Sequence, residues 1–302
     1  MTQVVAVVVT FNRLDLLRRL VARLREVPEV AEILVVDNAS TDGTGEWLRG
    51  QDGTDRVLAR TLADNTGGAG GFADGLTWAM ERGADLAWLM DDDGLPDADC
   101  LGLLLEHEGD LDFWGPAVLA EQDPSRLCFP IRLPGGTTVV HRMSEVEAAA
   151  RDGLVPGVVI PFNGVLVTRD LVERIGVPRA EFFIWGDDVE YLWRAERDGA
   201  RIATVVAARF RHPATDDLGT PMMRGRTTYN HTPSELKHYC MARNNTVNLR
   251  TYRGWPHVLM FWVKTVWFYL LTRRQPGRIP MSARAAYAGL RGDFTGHRRY
   301  LS

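Results

Sequence analysis

A chain of 302 residues, 45% hydrophobic and 25% charged, is long enough for one large domain or for a domain with a sizeable appendage. Its formal net charge of −4 excludes the strongly basic balance of a general nucleic-acid binder. Cys100, Cys128 and Cys240 contain no CxxC pair and leave one thiol over in any disulfide scheme, so a reducing, cytosolic compartment is expected. The N-terminal MTQVVAVVVTFNR has no basic leader and too short an apolar run for a signal peptide. No stretch reaches about 18 uninterrupted apolar residues, so a spanning helix is not expected.

In chain order, residues 4–9 are a continuous β-branched run, the pattern of a buried parallel strand. Residues 15–26 follow with a leucine stripe at helical spacing, and residues 33–36 form a second strand ending in Asp37-Asn38-Ala39-Ser40. A capped helix start at 41–48, a strand at 57–61, a helix at 71–82 and a strand at 86–90 continue the alternation. This pattern predicts an α/β fold with a mostly parallel, Rossmann-like sheet whose ligands gather at the C-terminal strand ends. Beyond it, strands are expected at 113–119, 155–168 and 202–210, with a mobile segment around Pro134-Gly135-Gly136 and a helix at 187–198. The composition turns loop-like from Asp216, which predicts a catalytic domain over 1–215 and a helical C-terminal region over 216–302.

Asp91-Asp92-Asp93 follows the fourth strand directly. Side chains two apart on an extended chain point the same way, so Asp91 and Asp93 face one side, suited to Mg²⁺ or Mn²⁺ on a diphosphate, while Asp92 faces the other. A solvated acidic loop is the alternative. Asn65-Thr66-Gly67-Gly68-Ala69-Gly70-Gly71-Phe72 is a glycine-rich approach to a helix, fit for close contact with a ligand or for a tight turn alone. Trp185-Gly186-Asp187-Asp188-Val189-Glu190 sets three acids beside bulky apolar residues at a helix start. Like charge and partial burial raise a carboxylate's pKa and favour a general base, although the helix dipole alone also attracts acids.

Together and in this order, Val7-Val8-Val9-Thr10-Phe11-Asn12-Arg13, Val36-Asp37-Asn38-Ala39-Ser40, the Asp91–Asp93 triplet and Asp187-Asp188 resemble the inverting family 2 glycosyltransferases of GT-A fold. The narrower set Asn65 to Phe72, Arg126-Leu127-Cys128-Phe129-Pro130-Ile131-Arg132, Phe162-Asn163-Gly164 and His212-Pro213 resembles the actinobacterial galactofuranosyltransferases that start cell-wall galactan. The resemblance is strong from residue 4 to about residue 215 and then thins to Tyr239-x-x-x-Arg243-Asn244.

That resemblance implies roles. Asp37 accepts from uracil, and Thr10, Phe11, Asn12 and Arg13 line the nucleotide pocket. Asn65, Gly67, Gly68, Gly70 and Gly71 floor the diphosphate and sugar, and Asp92 belongs with the donor-binding positions. Asp91, Asp93 and His212 hold Mn²⁺ or Mg²⁺, the imidazole favouring Mn²⁺. Asp188 is the base, with Asp187 as the alternative and Glu190 binding the acceptor or orienting the base. The implied partners are UDP-galactofuranose and a polyprenyl-diphosphate-linked rhamnosyl-N-acetylglucosamine acceptor. A dTDP-rhamnose donor is the alternative, and a non-catalytic sugar-nucleotide-binding relic is a further one. Homo-oligomerisation is compatible with the pattern.

Residues 255–274 are expected to dock on the cytoplasmic face of the membrane rather than cross it, because Lys264 would cost about 2.5–3.5 kcal/mol at a bilayer centre. Trp255, Trp262, Trp267 and Tyr269 are the types that prefer the headgroup level, and Arg273, Arg274 and Arg278 suit anionic lipid. Packing of the same stretch on the protein is the alternative.

Overall fold

The first strand, β1 (Val4–Thr10), is buried at every position, as a β-branched run covered on both faces must be. After it come α1 (Leu14–Arg25), β2 (Val30–Asp37), α2 (Thr44–Arg49), β3 (Val57–Thr61), α3 (Gly67–Glu81), β4 (Leu86–Asp91), β5 (Leu95–Pro96) and α4 (Cys100–Leu105). The middle of the chain supplies β6 (Phe113–Ala120), β7 (Asp123–Arg132), β8 (Val139–Arg142), α5 (Met143–Ala149), β9 (Leu154–Pro156), β10 (Asn163–Thr168), α6 (Arg169–Ile175), α7 (Asp187–Asp198) and β11 (Ile202–His212). The remainder contains β12 (Thr220–Met222), β13 (Thr227–Tyr229), α8 (Glu235–Tyr252), α9 (Trp255–Trp267) and α10 (Arg278–Leu290). This computed structural model describes residues 2–136, 138–213, 219–225 and 227–301.

Among the described residues, eleven strands form one mixed sheet in the order β3-β2-β1-β4-β10-β6-β11-β5, with β7 beside β6, β8 beside β7 and β9 beside β11. β1 is parallel to β2 and β4, and β2 to β3, so these four strands and their crossover helices make the nucleotide-binding type of half-sheet. Their register sets Thr10 beside Asp37, Asp37 beside Thr61 and Val9 beside Asp91, which brings the polar strand ends to one edge. β10 is antiparallel to both β4 and β6. One face of the sheet packs on leucines of α1 and α4. The other packs on Phe72 and Leu76 of α3, Leu171 of α6 and Tyr191 of α7.

The expected strand over 155–168 is two strands, β9 and β10. Phe162 and Gly164 both have positive φ, and the β10–β4 register shifts between Asn163 and Val165. The glycine-rich segment is helix from Gly67 onward, not a loop ahead of a helix at Gly71. β7 and α4 have no counterpart in the sequence reading, because a Pro-containing strand and a short helix give weak periodicity, while α10 lies in the stretch expected to be helical.

The chain divides into two compact units, one of Met1–Ala180 and Tyr191–Ala214, the other of Glu181–Glu190 and Thr215–Ser302. The boundary expected at 215/216 lies outside the described residues, and residues 181–190 group with the C-terminal region instead of with the sheet. In the second unit α10 lies against α8, and Gly289 permits it: a Cβ there would come within 3.0 Å of the Arg243 carbonyl.

No helix among the described residues is long and apolar enough to cross a membrane. The side chains expected at a headgroup level divide. Tyr269 is fully buried and bonded through its hydroxyl to His238 Nδ1 at 2.9 Å, and Trp262 is half-buried. Lys264 turns back to the Thr227 hydroxyl at 2.7 Å, whereas Trp255 and Trp267 are exposed.

Candidate active site

β4 ends at Asp91, and the chain turns through Asp92 and Asp93. The three carboxylates have different surroundings. Asp92 is buried, accepting from the Thr10 hydroxyl at 2.7 Å and from the Arg13 guanidinium at 3.2 Å, so it ties the end of β1 to the end of β4. Burial holds its carboxyl above the usual range, with the Thr10 hydrogen bond and Arg13 working against that rise. Asp93 pairs with Arg13 and lies 3.1 Å from His212 Nε2. Burial opposes its charge, but the bond to His212 and the two neighbouring cations outweigh it and lower the pKa. For Asp91, burial first, then the charges of Asp93 and Asp92, raise the carboxyl well above the ordinary range. Asp92 does not face away from Asp93 as expected: both carboxylates meet Arg13 Nη1, and the contacts of Asp92 with Thr10, the Phe11 N–H and Arg13 make it a structural anchor.

His212 reaches Asp93 because of two glycines. Phe210, two residues earlier on β11, fills the space beside Gly94 and Gly164, where a Cβ at either position would overlap its ring. β5 then pairs with β11, Phe210 opposite Pro96 and Arg211 opposite Leu95, which clamps the acidic turn to the strand end. The imidazole is seated by β7: Phe129 meets it edge-on at 5.0 Å, and Cys128 Sγ lies 3.4 Å from Nδ1. Nδ1 lies 2.8 Å from the Pro213 carbonyl, a bond that fixes its proton there and leaves Nε2 directed at Asp93. Burial works against its charge, but the bond to Asp93, the Cys128 contact and the Asp93 charge raise the imidazole to about 10.

These residues fit a divalent cation in three respects. Asp93 Oδ1 is buried and faces His212 Nε2 at 3.1 Å, and the Asp91 carboxylate accepts no hydrogen bond among the described residues. A carbonyl on the far nitrogen of a histidine is the support that metal-binding imidazoles use. The three groups are not already gathered as a metal cluster among the described residues: Asp93 and His212 are paired, and Asp91 shares their field.

Three loops at the neighbouring strand ends are stitched to one another. Asn12 has φ +53°, receives no side-chain help from β1 and instead binds the turn after β2: its N–H donates to Ser40 Oγ at 2.9 Å, and its Oδ1 accepts from the Thr41 N–H at 2.7 Å. Asn38 donates to the Gly67 carbonyl at 2.7 Å and accepts from the Thr66 N–H at 2.8 Å, linking that turn to the start of α3. Asn65 accepts from the Gly67 N–H at 2.8 Å. Asp37 is fully buried, with its oxygens on the Ser40 N–H and the Thr61 hydroxyl, so here it fixes the turn that would meet a base rather than standing open to one. Phe11 is exposed at the same edge.

The glycines separate into two roles. A Cβ at Gly71 would overlap Val9, so Gly71 lets α3 lie directly on β1, whereas a Cβ at Gly70 would overlap Thr66 at the start of the same helix; both are accounted for by packing. Gly68 has open space where its Cβ would be, and Gly67 holds φ +71°. Gly67 is itself buried, so of these glycines only Gly68 keeps the character of a surface that a ligand approaches.

In the second unit, the segment before α7 is strained: Phe183, Trp185 and Gly186 all have positive φ. One face of α8 holds it. Asn244 Nδ2 lies within hydrogen-bond reach of the carbonyls of Phe182, Ile184 and Trp185, and Asn248 Nδ2 donates to Gly186. One turn on, the Tyr252 hydroxyl donates to Glu190 Oε1 at 2.6 Å. Arg243, fully buried, donates to the carbonyls of Phe182 and Phe294. Asp187 and Asp188 open α7 immediately after this segment. Burial first, then the charge of Asp188, push Asp187 up to about 8; burial also raises Asp188, which is less enclosed.

Sequence reasoning missed Phe210, Asn248 and Tyr252, and noted Asn38, Cys128, Phe129, Arg243 and Asn244 without giving them work. A polar row at 244, 248 and 252, spaced four apart within one helix, is the signal that was available.

The fold and these strand ends agree with what the chain is similar to. The sequence profile "Glycosyl transferase family 2" matches residues 5–142. A galactofuranosyltransferase of Mycolicibacterium smegmatis, GlfT1, is 35% identical over 282 residues, 90% of this chain and 92% of the relative. Residues 1–349 of Staphylococcus aureus TarS superpose with a TM-score of 0.57 at 15% identity, covering 98% of this chain and 89% of that one. The mannosyltransferase PcManGT of Pyrobaculum calidifontis, in complex with GDP-Man and Mn²⁺, gives 0.54 at 17% identity over 99% and 78%. A parallel nucleotide-binding half-sheet, an acidic turn at its edge and a full-length relative of this kind place the chain in glycosyltransferase family 2, with a GT-A fold.

Proposed function

We propose that this enzyme transfers galactofuranose from UDP-galactofuranose, with inversion, to a rhamnosyl-N-acetylglucosamine acceptor carried on polyprenyl diphosphate at the cytoplasmic membrane face. The supporting observation is the 35% identity to a galactofuranosyltransferase that runs through 90% of the chain, past the acidic turn and into the helical region.

Asp91, Asp93 and His212 are the residues that would hold Mn²⁺ or Mg²⁺; Mn²⁺ accompanies GDP-mannose in the archaeal neighbour. The cation supplies positive charge that neutralises the departing diphosphate. The chain's own groups do the rest. Arg13, the 37–41 turn and the open space at Gly68 orient the nucleotide and sugar. Asp188 takes the proton of the acceptor hydroxyl as that oxygen bonds to the anomeric carbon and the bond to UDP breaks on the opposite side. A base must be both ionised and reachable, and Asp188 is less buried than Asp187, which favours it for the role. Tyr252 and Asn248 keep Glu190 and the start of α7 in place. Transfer through an oxocarbenium-like transition state needs no covalent intermediate.

The test is a donor comparison with Mn²⁺ and a synthetic lipid-linked acceptor. Transfer from UDP-galactofuranose and from neither UDP-galactopyranose nor dTDP-rhamnose is expected; transfer from dTDP-rhamnose alone overturns the reading.

A further inference from the structure

The net charge of −4 hides a division. Residues 216–302 carry fourteen arginines and lysines against four acids, and no Asp or Glu occurs anywhere in 236–292. Within that acid-free stretch, α9 and the π-helical turn Phe268–Thr272 show two faces. Val258, Thr265, Phe268 and Tyr269 are buried. Leu259, Met260, Val263, Trp267, Leu270 and Leu271 point outward and are 41–66% exposed, at spacings of one, three and four that keep them on one helical side. Exposed arginines bracket this stripe: Arg250 and Arg253 before it, Arg273 and Arg274 after it. Arg250 lies over the exposed Trp255 ring at 5.3 Å.

We infer that this face is a docking surface for an anionic lipid bilayer, with the α9 stripe in the acyl boundary and the arginines at both ends on headgroup phosphates. An apolar stripe with tryptophan and arginine at its ends is the composition of an interfacial helix. A second copy using the same face would bring two acid-free cationic surfaces together, which like-charge repulsion disfavours. The inference deepens the proposed lipid-linked acceptor, but vesicle binding is read without donor or acceptor, so failure of one leaves the other standing.

The full chain is sedimented with vesicles of phosphatidylcholine alone and of phosphatidylcholine with an equal part of phosphatidylglycerol. Binding to the anionic vesicles is expected, falling at high salt. Leu259→Ser/Met260→Ser/Val263→Ser and Arg273→Gln/Arg274→Gln should each weaken it at least tenfold with unchanged thermal midpoints. Acyl-brominated lipid should quench wild-type fluorescence more than that of Trp267→Phe, a readout that does not depend on the multiple variants folding. The inference fails if the wild type stays in the supernatant with anionic vesicles. It also fails if the serine variant binds as well as the wild type, or if light scattering shows a dimer that this variant dissolves without any vesicle binding.

Discussion

Asn248 Nδ2 donates to the carbonyl of Gly186 at 2.7 Å, so a helix more than sixty residues downstream in sequence sets the backbone on which Asp187 begins α7. Together with Asn244 it supplies the donors that a strained, buried segment lacks within itself.

Asn244→Ala therefore takes a donor from the part-buried carbonyls of Ile184 and Trp185, while that of Phe182 keeps Arg243, at about 1–3 kcal/mol for each one left unsatisfied. A fall in kcat of roughly ten- to hundredfold, about 1.4–2.8 kcal/mol in barrier, is expected with donor affinity little changed. Steady-state kinetics and donor titration check this; a change confined to KM for the donor contradicts it.

Asp187 carries a pKa raised to about 8, and the sign of its linkage follows from that. A carboxyl whose folded pKa lies above its unfolded value, about 3.9, costs stability as pH rises between the two. Asp187→Asn should match the wild-type thermal midpoint near about pH 4 and exceed it at about pH 8.5. A gap that stays constant, measured by calorimetry in both buffers, contradicts the assignment.

Within the acidic turn two substitutions separate. Asp91→Ala should abolish nearly all transfer while leaving the thermal midpoint close to wild type, since its carboxylate accepts no hydrogen bond among the described residues. Asp92→Ala removes the acceptor of Thr10 and Arg13. It should cost about 1–3 kcal/mol, several degrees in a domain of this size. Circular dichroism melts beside activity distinguish them.

Gly71→Ala and Gly68→Ala make a matched pair. The first drives a methyl into Val9 and should destabilise by about 1–3 kcal/mol. The second meets open space and should be neutral or slightly stabilising, while raising KM for the donor where the sugar nucleotide passes that surface. Equal melting shifts for the two would remove the distinction between packing and open glycines.

The parallel half-sheet was legible because residues 4–9, 33–36, 57–61 and 86–90 are short apolar runs separated by helical stripes, and periodicity is local. The acidic triplet stood out as a run directly after a strand, but the way its side chains point did not follow from strand alternation: the chain turns after Asp91 and brings Asp92 and Asp93 to the same Arg13. What was not legible depends on distant contacts. Nothing near His212 in sequence tells that Phe210 needs Gly94 and Gly164, or that Cys128 and Phe129 will face the imidazole. The grouping of 181–190 with the C-terminal helices is equally non-local, since it rests on amide side chains of α8 reading backbone carbonyls.

The glycines of α3 carry a consequence for how the molecule comes to be. Gly70, Gly71 and Gly75 lie inside a helix of 15 residues, and each costs about 1 kcal/mol of helix propensity relative to alanine. Cut from the chain, this segment would be unstructured in water. It becomes a helix when Val7 and Val9 of β1 are in place to receive it, the side chains against which Gly75 and Gly71 close. The start of α3, with its open space at Gly68, is thus a late product of folding, and slow or incomplete pairing of β1 with β2 and β4 would yield a chain with much of its secondary structure and without that surface.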